Sequence, residues 1–321
     1  MSQAIFSGVL QIAWDSRNRG LSDCARISVL VSAFERFRMM EQMTKQPLKV
    51  AALISGEPGA QELWTLRAMA SVDCELHVVQ ALQSTTISKR KRVQRMVKES
   101  GLAKTALRWA GSAIGSRVAS RDQHVLNELF DFPELCEWWK NSGIIPRKVK
   151  ALNHKESQET LSALHPDVIV RVSGGILKPQ IFSLARLVTL NVHHGQAPLI
   201  RGMWSIPWGV IEGREDWIGA SVHVIDEGID TGMILWRGGP QLAPGDTTVD
   251  LFFRTHLEAI AALVKVLNEF SSGNESPSGW PIPKGEASTY RSAASLWDWL
   301  RLLYLGRGRR APVLISKGIE C

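Results

Sequence analysis

The most constraining feature of this sequence is an apolar segment, LKVAALIS, which runs from Leu48 to Ser55 and is followed by Gly56. An apolar run of this length, closed by a glycine, is typical of a strand that is buried on both faces of a sheet. A helical pattern follows from Ala60 to Ala70, and a second strand is predicted from Glu75 to Val79. This strand–helix–strand order predicts a βαβ unit and therefore a parallel sheet with helices on its faces.

Strands and helices continue to alternate along the chain. Residues 86–142 are predicted to be mostly helical, and a long amphipathic helix is predicted from Thr248 to Phe270. A short helix, 158–164, is expected to be capped by Ser157. Further strands are predicted at 147–152, 167–172, 186–192, 219–225 and 233–236. The fold class is therefore α/β, a Rossmann-like domain with a mostly parallel central sheet.

The 321 residues are enough for one large domain with additions at both ends. Residues 1–46 are assigned to an N-terminal helical extension, because 28–43 carries apolar side chains at helical spacing. Residues 47–270 form the predicted catalytic domain. Residues 271–321 begin with a linker rich in serine, glycine and proline and end in a short C-terminal extension, which is too small for a domain of its own.

Composition excludes several classes of protein. The sequence has no apolar run of about 18 residues, so neither a spanning helix nor a membrane partner is expected. Its four cysteines show no metal or redox spacing, which favours a reducing, cytoplasmic setting. The turn 55–59 has neither a GxGxxG fingerprint nor the lysine of a P-loop, which argues against a nicotinamide-dependent oxidoreductase.

The net charge of +7 leaves two interpretations open. Anionic partners such as a phosphorylated substrate or nucleic acid would explain it, and so would solubility alone. The basic runs Lys89–Arg92 and Arg307–Arg310 suit contact with a phosphate backbone. The first run lacks the interleaved aromatic residues that stack on bases, which favours a solvated helix face.

Two polar side chains, Asn191 and His193, lie two residues apart at the end of a predicted strand. Alternate residues of a strand share one face, so both are presented at the edge where open α/β sheets bind ligands. Downstream, the glycine-containing loop 226–232 carries Asp230. An asparagine amide can stabilise a developing oxyanion, a histidine can move a proton near neutral pH, and an aspartate can set the charge of the imidazole. Together they suit acyl transfer to an amine.

The ordered set of motifs from 166 to 236 resembles the folate-dependent formyltransferases. It comprises a Pro-Asp-Val-Ile-Val strand, a Gly-Ile-Leu loop, Asn-x-His, Pro-x-x-Arg-Gly, a tryptophan and Asp-x-Gly-x-Asp-Thr-Gly. The resemblance implies that 10-formyltetrahydrofolate is the co-substrate and that no metal is needed. It also implies catalytic roles for Asn191, His193 and Asp230. The residues that it implies for binding the pterin ring are Gly175, Ile176, Leu177, Ile225, Asp226, Glu227 and Gly228.

The acceptor side of the site departs from the family pattern. The runs Gly195–Pro198 and Met203–Ser205 differ from what the family usually carries. Arg201 and Trp204 are predicted to bind the substrate, Arg201 through an acidic group or instead by pairing with a nearby carboxylate. A small-molecule amine, either an amino sugar nucleotide or an amino-acid-like amine, is the expected acceptor. Transfer RNA is disfavoured because the chain after the linker is short.

Other functions fit the same motifs less well. A 10-formyltetrahydrofolate hydrolase and a non-catalytic binding protein on this fold are the alternatives. A metal site built from His193, His194 and His223 is disfavoured, because adjacent residues of a strand face opposite ways. His194 and His223 are also expected to lie outside the reaction. The sequence indicates no oligomeric state.

Overall fold

The computed structural model describes residues 46–83, 89–276, 279, 288–291 and 294–305, with only part of the side chains between 89 and 119. The described residues from Leu48 onwards belong to one compact unit. The predicted helix at 28–43 and the basic run 307–310 lie outside the described residues. The division between a catalytic domain and a C-terminal extension at 270/271 stays a prediction.

Strands and helices follow one another along the described chain, with strict alternation from β3 to β5. In order, the elements are β1 (Leu48–Ser55), α1 (Ala60–Met69), β2 (Cys74–Ala81), α2 (Lys89–Leu129), α3 (Phe132–Asn141), β3 (Arg147–Val149), α4 (Lys155–Leu164), β4 (Val168–Arg171), α5 (Pro179–Phe182), β5 (Val188–His193), β6 (Ile200–Gly202), α6 (Ser205–Glu212), a 3-10 turn (Glu215–Trp217), β7 (Ala220–Val224), β8 (Ile234–Gly238), α7 (Thr248–Ser271), β9 (Thr289–Arg291) and α8 (Leu296–Tyr304). In α2, two helical segments meet at Gly101, where the backbone is not helical.

The central sheet has seven strands in the order β3-β2-β1-β4-β5-β7-β8. The strands from β3 to β5 are parallel to their neighbours. Strand β7 runs antiparallel to β5, and β8 runs antiparallel to β7. The predicted α/β fold with a mostly parallel sheet is confirmed.

The strand β1 lies at the centre of the core and is buried on both faces, as its sequence predicts. Val50, Ala52 and Ile54 pack towards α1, α3 and α7. Ala51 and Leu53 point the other way, towards α4 and α5. Because helices cover both faces of β1, the strand is open to a ligand only where it ends, at the carboxyl ends of the parallel strands.

The start of α4 differs from the prediction. The helix begins at Lys155, and its cap is His154, whose side chain accepts a hydrogen bond from the Glu156 backbone N–H. Ser157 lies inside the helix, where it is buried and donates its hydroxyl to the Ala151 carbonyl at 2.8 Å. The predicted cap was therefore wrong, because Ser157 satisfies a carbonyl of the preceding turn instead of a helix N–H.

The C-terminal segment packs against the main domain in a way that the sequence does not predict. Strand β9 pairs in parallel with β6 in a separate two-stranded sheet. From α8, Trp299 and Leu302 are buried against Trp208 and Trp217. In α2, a Cβ atom at Gly111 would lie 2.6 Å from the Leu296 backbone nitrogen, so a glycine is needed for this close approach.

None of the helices that the structure describes is both long and apolar enough to cross a bilayer.

Candidate active site

The three residues predicted to act together meet at the end of β5. Asn191 and His193 lie on one face of the strand and are both buried. Asp230, in the loop between β7 and β8, places Oδ2 3.6 Å from His193 Nδ1. The Asp230 backbone is left-handed (φ 50°), a conformation that aspartate tolerates better than most residues. The Gly202 backbone N–H holds this carboxylate by donating to Oδ2 at 2.9 Å.

His223 lies between the predicted residues, although the sequence analysis expects it to lie outside the reaction. Its Nε2 is 3.0 Å from Asn191 Nδ2 and 3.4 Å from Asp230 Oδ1. Its Nδ1 is 2.8 Å from the Val224 carbonyl, which can only accept, so Nδ1 carries the proton. The contact arises because β7 pairs with β5 in a register that sets His223 opposite Asn191.

Arg171, at the end of β4, is a second residue that the sequence analysis missed. Its Nε donates to Asn191 Oδ1 at 2.9 Å. Its Nη1 donates to the Gly174 carbonyl at 2.7 Å and to the Gly175 carbonyl at 3.3 Å. An arginine at the end of an apolar strand, directly before a glycine loop, was the one signal in the sequence.

The charged groups of the site are perturbed by burial and by one another. Burial alone would raise the pKa of Asp230, but the contacts from His223, His193 and the Gly202 N–H outweigh it and hold that pKa well below its usual range. Burial lowers the pKa of His193, and the Asp230 carboxylate opposes this shift. Asp230 is therefore an anion beside an imidazole whose charged form is disfavoured by burial and favoured by this carboxylate.

His193 Nε2 has both a donor and an acceptor within reach. Ser205 Oγ and the Ile200 carbonyl oxygen each lie 3.3 Å from it. The hydroxyl can donate to an unprotonated nitrogen, and the carbonyl can accept from a protonated one. Both protonation states of His193 are therefore stabilised, which suits a group that takes up and releases a proton.

The two loops predicted to hold the pterin ring lie side by side. Of the residues predicted to bind the ring, some are exposed and others pack into the core. Gly175 and Ile176 are exposed, whereas Leu177 is buried and Ile225 packs against the same apolar cluster. Asn153 braces the first loop, because its Nδ2 donates to the Ile176 carbonyl and its Oδ1 accepts from the Lys178 N–H, both at 2.8 Å.

The second loop is shaped by Asp226. Its Oδ1 accepts from the Gly228 N–H at 3.1 Å and from the Thr231 hydroxyl at 2.6 Å. Glu227 and Gly228 are exposed at the tip of the loop. Asp226 therefore sets the path of the backbone, while its neighbours remain accessible.

Of the two residues predicted to bind the acceptor, Arg201 contacts the protein itself. Its Nε donates to Ser288 Oγ at 2.6 Å, and its Nη1 donates to the Ile229 carbonyl at 3.2 Å. No carboxylate appears among the partners that the structure describes for this guanidinium. Arg201 therefore links the C-terminal segment to the Asp230 loop.

Trp204 lines a cavity of about 300 Å³ between α1, α2, α6, α7 and α8. Its ring meets the edge of Trp299 with centroids 4.6 Å apart, and Phe252 adds a further aromatic wall. Gln61, Asp122 and Gln123 supply polar groups. No lysine or arginine is among the described residues that line this cavity.

His194 faces away from the candidate site. Its Nε2 is 3.0 Å from His256 Nδ1, and the other nitrogen of His256 is 3.2 Å from the Thr65 hydroxyl. The prediction that His193 and His194 face opposite ways is confirmed. Within the described part of the chain, no group of three or more histidine, cysteine, aspartate or glutamate side chains is arranged to hold a metal ion.

Comparison with known proteins gives one family. The profile of the formyl transferase family matches residues 48–267. Methionyl-tRNA formyltransferase from Anaeromyxobacter sp. (strain K) is 30% identical over 170 residues, which cover 52% of this chain and 54% of that protein. The enzyme of the same name from Desulfotalea psychrophila is 36% identical over 129 residues, covering 40% of this chain and 39% of its own. The chain thus matches about half the length, or less, of these curated relatives.

The solved structures to which the chain is similar include a 4-N formyltransferase from Francisella tularensis, at 13% identity and a TM-score of 0.46 over 77% of each chain. Glycinamide ribonucleotide transformylase 1 from Symbiobacterium toebii also has 13% identity and a TM-score of 0.46, over 74% of this chain and 95% of its own.

Proposed function

The chain belongs to the formyl transferase family, and we propose that it is a folate-dependent enzyme that moves a formyl group from 10-formyltetrahydrofolate to an amine. The observation that carries the proposal is the meeting of Asn191, His193 and Asp230 at the end of β5. A donor amide, an imidazole with partners for both protonation states and a half-buried anion are groups that suit acyl transfer to an amine.

Each group has one task in this proposal. When bound, the co-substrate supplies a formyl carbon that the acceptor nitrogen attacks, and its bond to the folate nitrogen breaks. Asn191 Nδ2–H donates to the formyl oxygen as negative charge develops there. His193 takes the proton lost by the amine and returns one to the leaving folate nitrogen. Asp230 stabilises the imidazolium between these two transfers.

The loops 174–177 and 225–228 are proposed to hold the pterin ring. Gly175 and Ile176 are exposed, and a Cβ atom at Gly175 would have no neighbour within 4 Å, so a flat ring can approach the backbone. Leu177 and Ile225, which share an apolar cluster, support the loops from below. This arrangement favours recognition by backbone groups at Gly175, Ile176, Asp226, Glu227 and Gly228.

The cavity beside Trp204 is proposed to hold the body of the acceptor. Trp204 connects the cavity to the candidate site through Ser205, which follows it directly and whose hydroxyl is 3.3 Å from His193; none of Asn191, His193 and Asp230 lines the cavity itself. Trp204 also adopts a left-handed backbone (φ 65°), which is strained for a bulky residue, and such strained residues cluster at functional sites. Because its walls are aromatic and its one described charged residue, Asp122, is already paired with Arg121 at 3.0 Å, the cavity favours an amine on an apolar, amino-acid-like body over an amino sugar nucleotide.

The proposal is tested by release of tetrahydrofolate from 10-formyltetrahydrofolate, followed by absorbance with and without amines. The amines are apolar amino acids, diamino acids, amino sugar nucleotides and charged tRNA. We expect release that depends on a small amine and that falls by ~10²–10³ in Asn191→Ala, His193→Ala and Asp230→Ala. His124→Gln, an exposed histidine on α2, is the matched control and should keep its rate.

Each of the other outcomes favours a different function. Release without any amine indicates a hydrolase, and release only with charged tRNA indicates the acceptor for which the relatives are named. Folded single variants with normal rates would contradict the catalytic assignments. An absence of folate binding would favour a non-catalytic protein on the same fold.

A further inference from the structure

We propose that Arg171 is a positioning residue that fixes the direction of the Asn191 amide and joins it to the cofactor loop at Gly174–Gly175. The inference rests on the proposed function only for its kinetic consequences. The guanidinium of Arg171 reaches two parts of the site. Nε contacts the side chain of Asn191, and Nη1 contacts two carbonyls of the loop.

An asparagine amide has an acceptor and a donor of nearly the same shape, so its direction must be set by its neighbours. A guanidinium only donates, and Arg171 Nε lies 2.9 Å from Asn191 Oδ1. The oxygen must therefore face Arg171, and Nδ2 must face the opposite side, towards His223. Turning the amide over would bring two donors together and leave a buried oxygen without the guanidinium.

His223 cannot set this direction by itself. Its Nδ1 proton is used by the Val224 carbonyl, so only Nε2 faces Asn191. A neutral His223 accepts from Nδ2, and a protonated one can donate to Oδ1 of a reversed amide or to Asp230. Among the groups described around the Asn191 side chain, Arg171 is therefore the one that is compatible with only one orientation of the amide.

The same contacts affect the strength of the donor. A hydrogen bond from a cation to Oδ1 polarises the amide and makes its N–H groups better donors. One of the two Nδ2 protons is used by His223, which leaves the other for the formyl oxygen. Because Nη1 holds the Gly174 and Gly175 carbonyls, the loop that is proposed to hold the pterin ring is tied to the same guanidinium.

The test is a double-mutant cycle between Arg171 and Asn191, with kcat and the folate KM measured separately. Arg171→Met keeps the length of the side chain and removes every donor. We expect it to lower kcat by ~10–100-fold, the range for a hydrogen bond to a charged group. In an Asn191→Ala background the same change should cost less than ~3-fold, because Arg171 acts through that amide.

Asn153→Ala is the matched control, because Asn153 braces the same loop at Ile176 and Lys178 without touching Asn191. It should raise the folate KM by the same factor in both backgrounds. If Arg171→Met also lowered kcat by the same factor in both backgrounds, Arg171 would serve only to hold the loop, and the proposal would be overturned. Arg171→Lys keeps one donor group and should recover part of kcat, which guards against a variant that fails to fold.

A second measurement does not depend on catalysis. The side-chain amide signal of Asn191 is assigned in an asparagine-labelled NMR spectrum by its absence in Asn191→Ala. We expect it to shift in Arg171→Met and to stay in place in Asn153→Ala. An unmoved signal in Arg171→Met would overturn the inference. A wild-type protein that shows no folate turnover would contradict the proposed function and leave this result valid.

Discussion

At the scale of single residues, the backbone of Gly195 packs so closely against His193 that no side chain fits at position 195. A Cβ atom there would lie 2.6 Å from His193 Nε2 and 2.6 Å from the Ser205 side chain. Both neighbours are buried, so the imidazole cannot move aside without losing its contacts with Ile200 and Ser205. The glycine is therefore part of what positions the catalytic candidate.

We predict that Gly195→Ala lowers kcat by at least ~10-fold, because displacement of a catalytic group by about 1 Å can cost ~10² in rate. The folate KM should change little, since the cofactor loops are untouched. Steady-state kinetics together with thermal unfolding would check this. In Gly195→Ala/Ser205→Gly, which removes one of the two clashing side chains, part of the lost stability should return. A Gly195→Ala enzyme with a normal kcat would show that His193 has more freedom than its contacts indicate.

The sequence predicts Asn191, His193 and Asp230 because each lies in a short local motif at a strand end or in a turn. Arg171 and His223 belong to the same cluster but were missed. They reach it across the sheet, since β4 and β7 flank β5 with Arg171 and His223 each opposite Asn191 in the register. Which strand pairs with which, and in what register, is a tertiary property that periodicity along one chain does not contain.

At the scale of elements, strand β9 supports the site without entering it. It pairs with β6, whose last residue, Gly202, donates its N–H to Asp230. The Thr289 N–H donates to the Leu199 carbonyl at 3.1 Å, and the Met203 N–H donates to the Arg291 carbonyl at 2.9 Å. The position of the Asp230 carboxylate thus depends on a segment almost 60 residues away in sequence (289 − 230 = 59).

We predict that Thr289→Pro lowers kcat although residue 289 contacts no catalytic candidate. Proline removes the N–H that bonds to Leu199 and so loosens β6. The expected loss is ~10-fold, with far-UV circular dichroism unchanged. Thr289→Val keeps the backbone N–H and is the matched control. Equal activity in the two variants would mean that β6 is held in place without β9.

This strand was absent from the sequence-based prediction for a physical reason. A three-residue edge strand has too few residues to show alternation, and it is defined by its partner. By contrast, β1 and α7 are long and strongly patterned, and the structure places them within one residue of their predicted bounds.

A chain of polar contacts runs from His194, the half-buried residue directly after β5, through His256 of α7 to Thr65 of α1, both of which are buried. Burial lowers the pKa of His256 from 6.5 to about 4, and it lowers the pKa of His194 well below 6.5. In the unfolded chain both return to about 6.5. Between these pKa values the unfolded state binds more protons than the folded state. The contribution of the two neutral histidines to the free energy of unfolding is therefore fully present above about pH 6.5 and is lost as the pH drops towards 4.

We predict that this pH dependence is reduced in His256→Gln, which keeps polar contacts but cannot be protonated. For His256 alone the loss of stability on acidification is roughly 3 kcal/mol. Urea unfolding at several pH values between about 4.5 and 7.5 would measure it. His124→Gln, which removes an exposed histidine, should keep the wild-type slope. Parallel curves for the wild type and His256→Gln would assign the acid sensitivity to other groups.

At the scale of the whole molecule, the net charge of +7 and the cavity beside Trp204 favour different acceptors. A polyanionic acceptor such as tRNA would be bound through phosphates, and its affinity would depend steeply on salt. The cavity offers aromatic walls and one carboxylate, Asp122, which is paired with Arg121 at 3.0 Å, and no cation is among its described lining residues. Such a site binds a small amine through contacts that salt screens only weakly.

We therefore predict that the KM for the acceptor changes less than ~3-fold between about 50 and 200 mM salt. A tRNA acceptor that makes 6–10 phosphate contacts would lose ~10³–10⁵ in affinity over the same range. Trp204→Ala should raise the KM for a small amine by at least ~10-fold and leave the folate KM unchanged, since Trp204 lines the cavity and not the cofactor loops. A steep salt dependence combined with a normal acceptor KM in Trp204→Ala would assign recognition to the basic surface. The excess positive charge would then serve to bind a nucleic acid, and the cavity would have only a packing role.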